Sequence, residues 1–82
     1  MAFSRTSLVE YLSVNYGIPR EELQDDLPLF SSQLLDSFNL VDLVAFIETE
    51  TKLKFGVLDL TLDNLDTVSR ILAYVQRRIG VR

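Results

Sequence analysis

Apolar residues recur at helical spacing in three stretches of the chain, and the polar residues between them supply starts and stops. In the first, Leu8, Tyr11, Leu12 and Tyr16 fall on one stripe, which predicts a helix over residues 4–16. Ser4 or Thr6 can cap its start, and Gly17 followed by Pro19 ends it. The second helix begins at Asp36-Ser37 and runs to about Glu50, with Leu40, Leu43, Val44 and Ile47 at the i, i+3, i+4, i+7 positions of a core face. Ser37 reads as its N-cap, with Asp36 just before. Glu48 and Glu50 near its end oppose the helix dipole, which favours a surface kept acidic for binding. The third opens at Asp66 as N-cap and runs to Ile79, with Val68, Ile71, Leu72, Val75 and Ile79 as its stripe. Arg77 and Arg78 fill its last turn, where the dipole welcomes cations, and Gly80 stops it.

The intervening segments are less regular. Pro19 and Pro28 break any helix across residues 18–36, apart from a short turn near Arg20–Leu23, and Asp25, Asp26, Ser31 and Ser32 favour turns. The loop is nonetheless rich in leucine, so it should be pinned across the helices. After the second helix, Leu53, Phe55 and Val57 alternate as in a strand. One strand without a partner is not a sheet, so this segment reads as an extended connector whose apolar side chains plug the bundle. A short helical turn follows at 61–65, with Thr61 as N-cap. The expected fold is all-α: a four-helix bundle of three main helices and one short one, in a single domain over residues 1–82. The long first loop leaves helices one and two free to be non-adjacent or parallel, where a short loop would force antiparallel neighbours.

Composition narrows the chemistry. The 82 residues include neither cysteine nor histidine. That excludes thiol nucleophiles, imidazole bases, the Ser-His-Asp triad, disulfide scaffolds and zinc fingers, and no catalytic or metal-binding residue is expected. The net charge is −4. It is unevenly spread: residues 21–66 hold 11 of the 12 acids against two lysines, whereas 67–82 carry four arginines. An acidic middle suits basic protein partners or plain solvation, and argues against nucleic acid. No apolar run is long enough for a membrane span and no signal peptide is visible, so a cytoplasmic, monomeric protein is expected.

One segment is more specific. Leu34-Leu35-Asp36-Ser37-Phe38, continuing Asn39-Leu40-Val41-Asp42-Leu43-Val44, resembles the prosthetic-group attachment motif of acyl and peptidyl carrier proteins, an Asp-Ser-Leu after an apolar residue and ahead of an amphipathic helix. The likeness runs through Lys52-Leu53-Lys54-Phe55, Leu60-Thr61-Leu62-Asp63-Asn64-Leu65 and Asp66-Thr67-Val68, and covers roughly residues 4–80. The resemblance implies an acyl-carrier-like bundle that is not an enzyme. It implies that Ser37 receives 4′-phosphopantetheine from coenzyme A, with Asp36 recognised by a phosphopantetheinyl transferase. A helix opening tolerates a phosphate, and a chain without cysteine must import the thiol that bears a thioester. Phe38, Val41 and Ala45 lie off the core stripe; by resemblance they form, with Asp42 and Glu48, a face for partner enzymes.

The implied partners are the transferase, an acyl- or aminoacyl-activating ligase, and a downstream synthase or acyltransferase. Three departures point away from routine fatty-acid synthesis: Asn39 where an acid is usual, Thr51 where an aromatic is common, and Gly56 where proline is frequent. The pattern is more similar to free-standing carriers of specialised metabolism, aminoacyl carriers among them. The competing reading is a small helical interaction module with no cofactor.

Overall fold

Each main helix begins where a side chain closes its first turn. In the computed structural model, which describes residues 3–80, Ser4 and Ser7 exchange side chain-to-backbone hydrogen bonds and open α1 (Arg5–Tyr16) with a capping box. Gly17 ends α1 at φ +68°, a left-handed conformation that suits glycine, and returns its N–H to the Ser13 carbonyl. Helix α2 (Ser37–Thr51) is capped by Asp36 rather than Ser37. The Asp36 carboxylate accepts from the Asn39 N–H at 3.0 Å, and the Asn39 side chain accepts from the Asp36 N–H at 3.0 Å. Only Asp36 has a reciprocating partner three residues on, so the helix begins one residue earlier than a serine cap would place it. The short α3 (Leu62–Leu65) follows Thr61, which occupies the N-cap position without a side-chain bond. Helix α4 (Val68–Ile79) is capped by Thr67, whose Oγ1 accepts from the Arg70 N–H at 3.0 Å.

Asp66, expected as that cap, is instead drawn inward. It is buried, and its carboxylate accepts from the Phe30 N–H (2.8 Å), the Ser31 N–H (3.0 Å) and the Ser31 hydroxyl (2.7 Å). Its carbonyl accepts from the Leu29 N–H. One residue therefore fastens the middle of the 18–36 loop to the α3–α4 junction. Further back, the Asp25 carboxylate pairs with Arg5 at 2.6 Å, and the Asp25 carbonyl accepts from the Ser69 N–H. The loop, with a single 3-10 turn at Arg20–Glu22, thus has most of its buried polar groups satisfied and its leucines free to point in. Leu23 and Leu29 are fully buried beside Leu8, Leu12, Leu43, Ile47, Leu65, Val68 and Ile71. Burial of each such side chain stabilises the fold by about 1.5–3 kcal/mol.

Helices α1 and α2 are antiparallel neighbours, contrary to the freedom the loop length suggested. Phe3 and Tyr11 both pack on Phe46, Tyr11 stacked at 4.1 Å, while Tyr16 at the end of α1 reaches the Asn39 carbonyl at the start of α2. The loop makes an excursion to α4 and returns to its origin. The connector also differs from expectation. Leu53 and Phe55 are half-buried against the core, but Val57 is 85 % exposed on a 3-10 turn, Val57–Asp59, and plugs nothing. That turn is closed by its own carboxylate, since Asp59 Oδ2 accepts from the Gly56 N–H. Arg78 then holds the connector to α4: it donates to the Lys54 carbonyl at 2.6 Å, pairs with Asp59 at 3.2 Å and lies over the Phe55 ring. On α4, Ile79 is exposed where the stripe placed it in the core, while Tyr74 is buried, as is Val9 on α1. Arg78 and the edge of Phe55 cover Tyr74, and α4 turns its last residue past the end of the core.

The Asp66 arrangement has measurable consequences. Burial alone would raise its pKa, but the Ser31 hydroxyl, the Ser31 and Phe30 N–H groups and the Arg70 charge outweigh it, and hold the carboxyl below its ordinary value of 3.8. Asp66→Ala leaves those donors without a partner and should cost about 1–3 kcal/mol in urea denaturation at neutral pH. Because the folded-state pKa is the lower one, this contribution is complete above the unfolded value and is lost as pH falls through the folded value. The gap in stability between the natural protein and Asp66→Ala should therefore narrow steadily when the denaturation is repeated from pH 5 down to acid.

Candidate functional site

Asp36 makes the cap, so the Ser37 hydroxyl is not spent on it. Ser37 is the first residue of α2 and is exposed. It stands at the positive end of a 15-residue helix whose first turn holds no acid. This placement suits a group that must be reached by another enzyme and must then carry a phosphate.

Beside Ser37 lies an open groove of about 510 Å³. Phe30, Leu35, Leu40 and Leu62 form its apolar walls, and Gln33, Asp36 and Ser37 supply its polar atoms. Three segments converge here: the end of the loop, the first turn of α2 and the start of α3. The loop side is rigid for stated reasons. Asp66 holds Phe30 and Ser31, the Leu35 N–H donates to the Leu29 carbonyl at 2.8 Å, and the Gln33 N–H donates to the Phe30 carbonyl at 3.0 Å. The helix side is fixed from α1. The Tyr16 hydroxyl donates to the Asn39 carbonyl at 3.3 Å and lies 3.3 Å from the Tyr11 hydroxyl. Burial, the hydrogen bond to Tyr11 and the nearby charges of Asp42 and Asp36 push the Tyr16 phenol well above its usual pKa, so it stays a donor across the physiological range.

The other residues singled out from the sequence fall on one side of α2. Phe38 is 82 % exposed and Val41 63 % exposed, and Asp42 and Ala45 are also at the surface. Glu48 is different. It is half-buried, and its carboxylate accepts from the Phe55 N–H at 2.7 Å, which ties the connector to α2 and explains an acid near the helix end. Among the described residues no cluster of three or more His, Cys, Asp or Glu could hold a metal ion, and no helix is long and apolar enough to cross a membrane. Sequence reasoning did not find Gln33 or Leu62 as groove residues, because nothing local marks them. It also missed Asn39 as the partner of Asp36, although the Asp-x-x-Asn spacing of a capping box was there to be read.

Comparison with known proteins gives the family. A family model described as "Phosphopantetheine attachment site" matches residues 6–75. The chain is 34 % identical over 58 residues to the probable acyl carrier protein PigG of a Serratia species, covering 71 % of this chain and 67 % of that protein. It is 30 % identical over 69 residues to the acyl carrier protein of Thermotoga maritima, covering 84 % of this chain and 83 % of that protein. These matches set aside the cofactor-free interaction module. An exposed serine opening a helix, next to an open groove, is compatible with the covalent cofactor that such proteins bear. The chain belongs to the phosphopantetheine-binding acyl carrier protein family, a family of non-catalytic carriers that bear covalently attached 4′-phosphopantetheine and are served by a phosphopantetheinyl transferase and by biosynthetic enzymes.

Proposed function

We propose that Ser37 is the residue that bears the arm, and that the chain holds acyl or aminoacyl thioesters for a pathway of specialised metabolism. The observation that carries the first part is the exposed Ser37 hydroxyl at the first position of α2, with the cap made by its neighbour. In loading, Ser37 Oγ would attack the pantetheine-side phosphorus of coenzyme A, the pyrophosphate P–O bond would break with release of adenosine 3′,5′-bisphosphate, and the serine proton would pass to a base on the transferase. The cofactor supplies a terminal thiol, the nucleophilic group this chain lacks. The chain itself offers no histidine or cysteine to hydrolyse or capture the thioester, so cargo persists until a partner takes it.

The pathway reading rests on Asn39, Thr51 and Gly56. Asn39 completes the Asp36 cap through its carboxamide without adding charge to the first turn. In place of the usual aromatic, Thr51 hydrogen-bonds back to the Ile47 carbonyl through its hydroxyl. The proposed docking face is Phe38, Val41, Asp42 and Ala45: exposed apolar groups beside an acid, suited to an apolar and basic surface. Glu48 adds less, because one of its oxygens is engaged by the connector. The partners are an acyl- or aminoacyl-activating ligase and a downstream synthase or acyltransferase. The reading includes a monomer in the cytoplasm, where coenzyme A is available to supply the arm.

Coexpression with a promiscuous phosphopantetheinyl transferase should add one phosphopantetheine mass to the intact protein, and Ser37→Ala should remove the gain while leaving the fold intact. Unmodified protein from several active transferases would refute the assignment. A second pair of variants separates the two roles of Asp36. Asp36→Asn keeps a good cap and should change stability by no more than about 0.5 kcal/mol, whereas Asp36→Ala should cost about 1 kcal/mol. If the transferase reads the charge, both variants load several-fold more slowly than the natural protein under identical conditions; if only the cap matters, Asp36→Asn loads normally.

A further inference from the structure

Gln33 holds a left-handed backbone conformation, φ +68°, without being glycine. Side chains are rarely kept there, and positions held in such regions cluster at ligand-contacting sites. The conformation is imposed from both sides. The Gln33 N–H is tied to the Phe30 carbonyl, and the Leu35 N–H is tied back to the Leu29 carbonyl, while Asp66 fixes Phe30 and Ser31. Gln33 held in this way is one of the residues that line the groove beside Ser37.

The chemistry of the lining singles this residue out. Phe30, Leu35, Leu40 and Leu62 offer no side-chain hydrogen bond. Asp36 is an acceptor already engaged by the Asn39 N–H, and its charge opposes a phosphate. Ser37 loses its hydroxyl proton when it is modified. Gln33 is the remaining lining side chain, and its carboxamide both donates and accepts. A pantetheine arm has two secondary amides and a hydroxyl spaced along a flexible chain, which need both kinds of partner once they leave water. The groove volume, about 510 Å³, lies within the roughly 300–1,000 Å³ typical of small-ligand sites.

We infer that Gln33 is an arm-binding residue. Its carboxamide hydrogen-bonds an amide of the arm attached at Ser37, and biases that arm into the groove between α2 and α3. The inference rests on the assignment of Ser37 as the attachment residue.

The test uses protein loaded with isotope-labelled pantetheine, with loading first read by intact mass. In the natural protein, the arm should show nuclear Overhauser contacts to Leu40 and Leu62, and one arm amide should exchange with solvent several-fold more slowly than in the free pantetheine. Gln33→Gly keeps the backbone conformation and removes the carboxamide; Gln33→Met keeps most of the side-chain length and removes both the acceptor and the donors. Both should lose the contacts and return exchange to the rate of free pantetheine, with thermal midpoints showing that each is folded. A purely structural role for Gln33 would leave the arm signals unmoved. Arm contacts and exchange matching the natural protein in either folded variant overturn the inference, as does an arm in the natural protein that exchanges like free pantetheine. A natural protein that takes up no arm overturns both this inference and the assignment of Ser37.

Discussion

The carboxylate of Asp66 is the point on which the architecture turns. A 20-residue connection between two helices, residues 17–36, is an entropic liability unless something holds it down. Here one buried anion, at the junction of α3 and α4, takes three donors from Phe30 and Ser31, while its own carbonyl takes the Leu29 N–H. With those groups satisfied, Leu29 can be fully buried, the loop closes on itself at Leu35, and the chain arrives at Asp36 from a fixed direction. The groove wall, the start of α2 and the exposure of Ser37 all follow from that arrival.

The α2 start is fixed a second time from the opposite side. Tyr16 bonds to the Asn39 carbonyl, so α1 braces the same turn that the loop delivers, and Tyr11 stacks on Phe46 further along the helix. A carrier with no catalytic side chains contributes to chemistry by presentation alone. Two independent braces on one helix turn are what presentation demands.

Much of this was legible in the sequence. The stripes of α1, α2 and α4 name half of the buried apolar core, and Gly17 and Gly80 mark two helix ends in left-handed geometry. The errors share a physical origin. At Asp36-Ser37 and Asp66-Thr67 two adjacent residues can both cap, and the choice depends on partners that periodicity does not describe: Asn39 in one case, Phe30 and Ser31 in the other. The antiparallel pairing of α1 and α2 was hidden because the loop doubles back. Alternation in the connector suggested burial for Val57, but a 3-10 turn closed by Asp59 rotates it into solvent. Gln33 could not be found at all, since a left-handed residue that is not glycine leaves no local mark.

On the proposed assignment of the arm to Ser37, the division of labour between Asp36 and Ser37 reaches into the life cycle of the protein. A helix whose opening depended on the serine hydroxyl would fray or reorganise each time that oxygen was esterified, and empty and charged carriers would differ in shape at the very spot partners inspect. With the opening secured by the preceding aspartate, the scaffold is indifferent to its passenger. Successive enzymes would then meet the same helix opening throughout a cycle, and would tell its stages apart by the tether and what hangs from it.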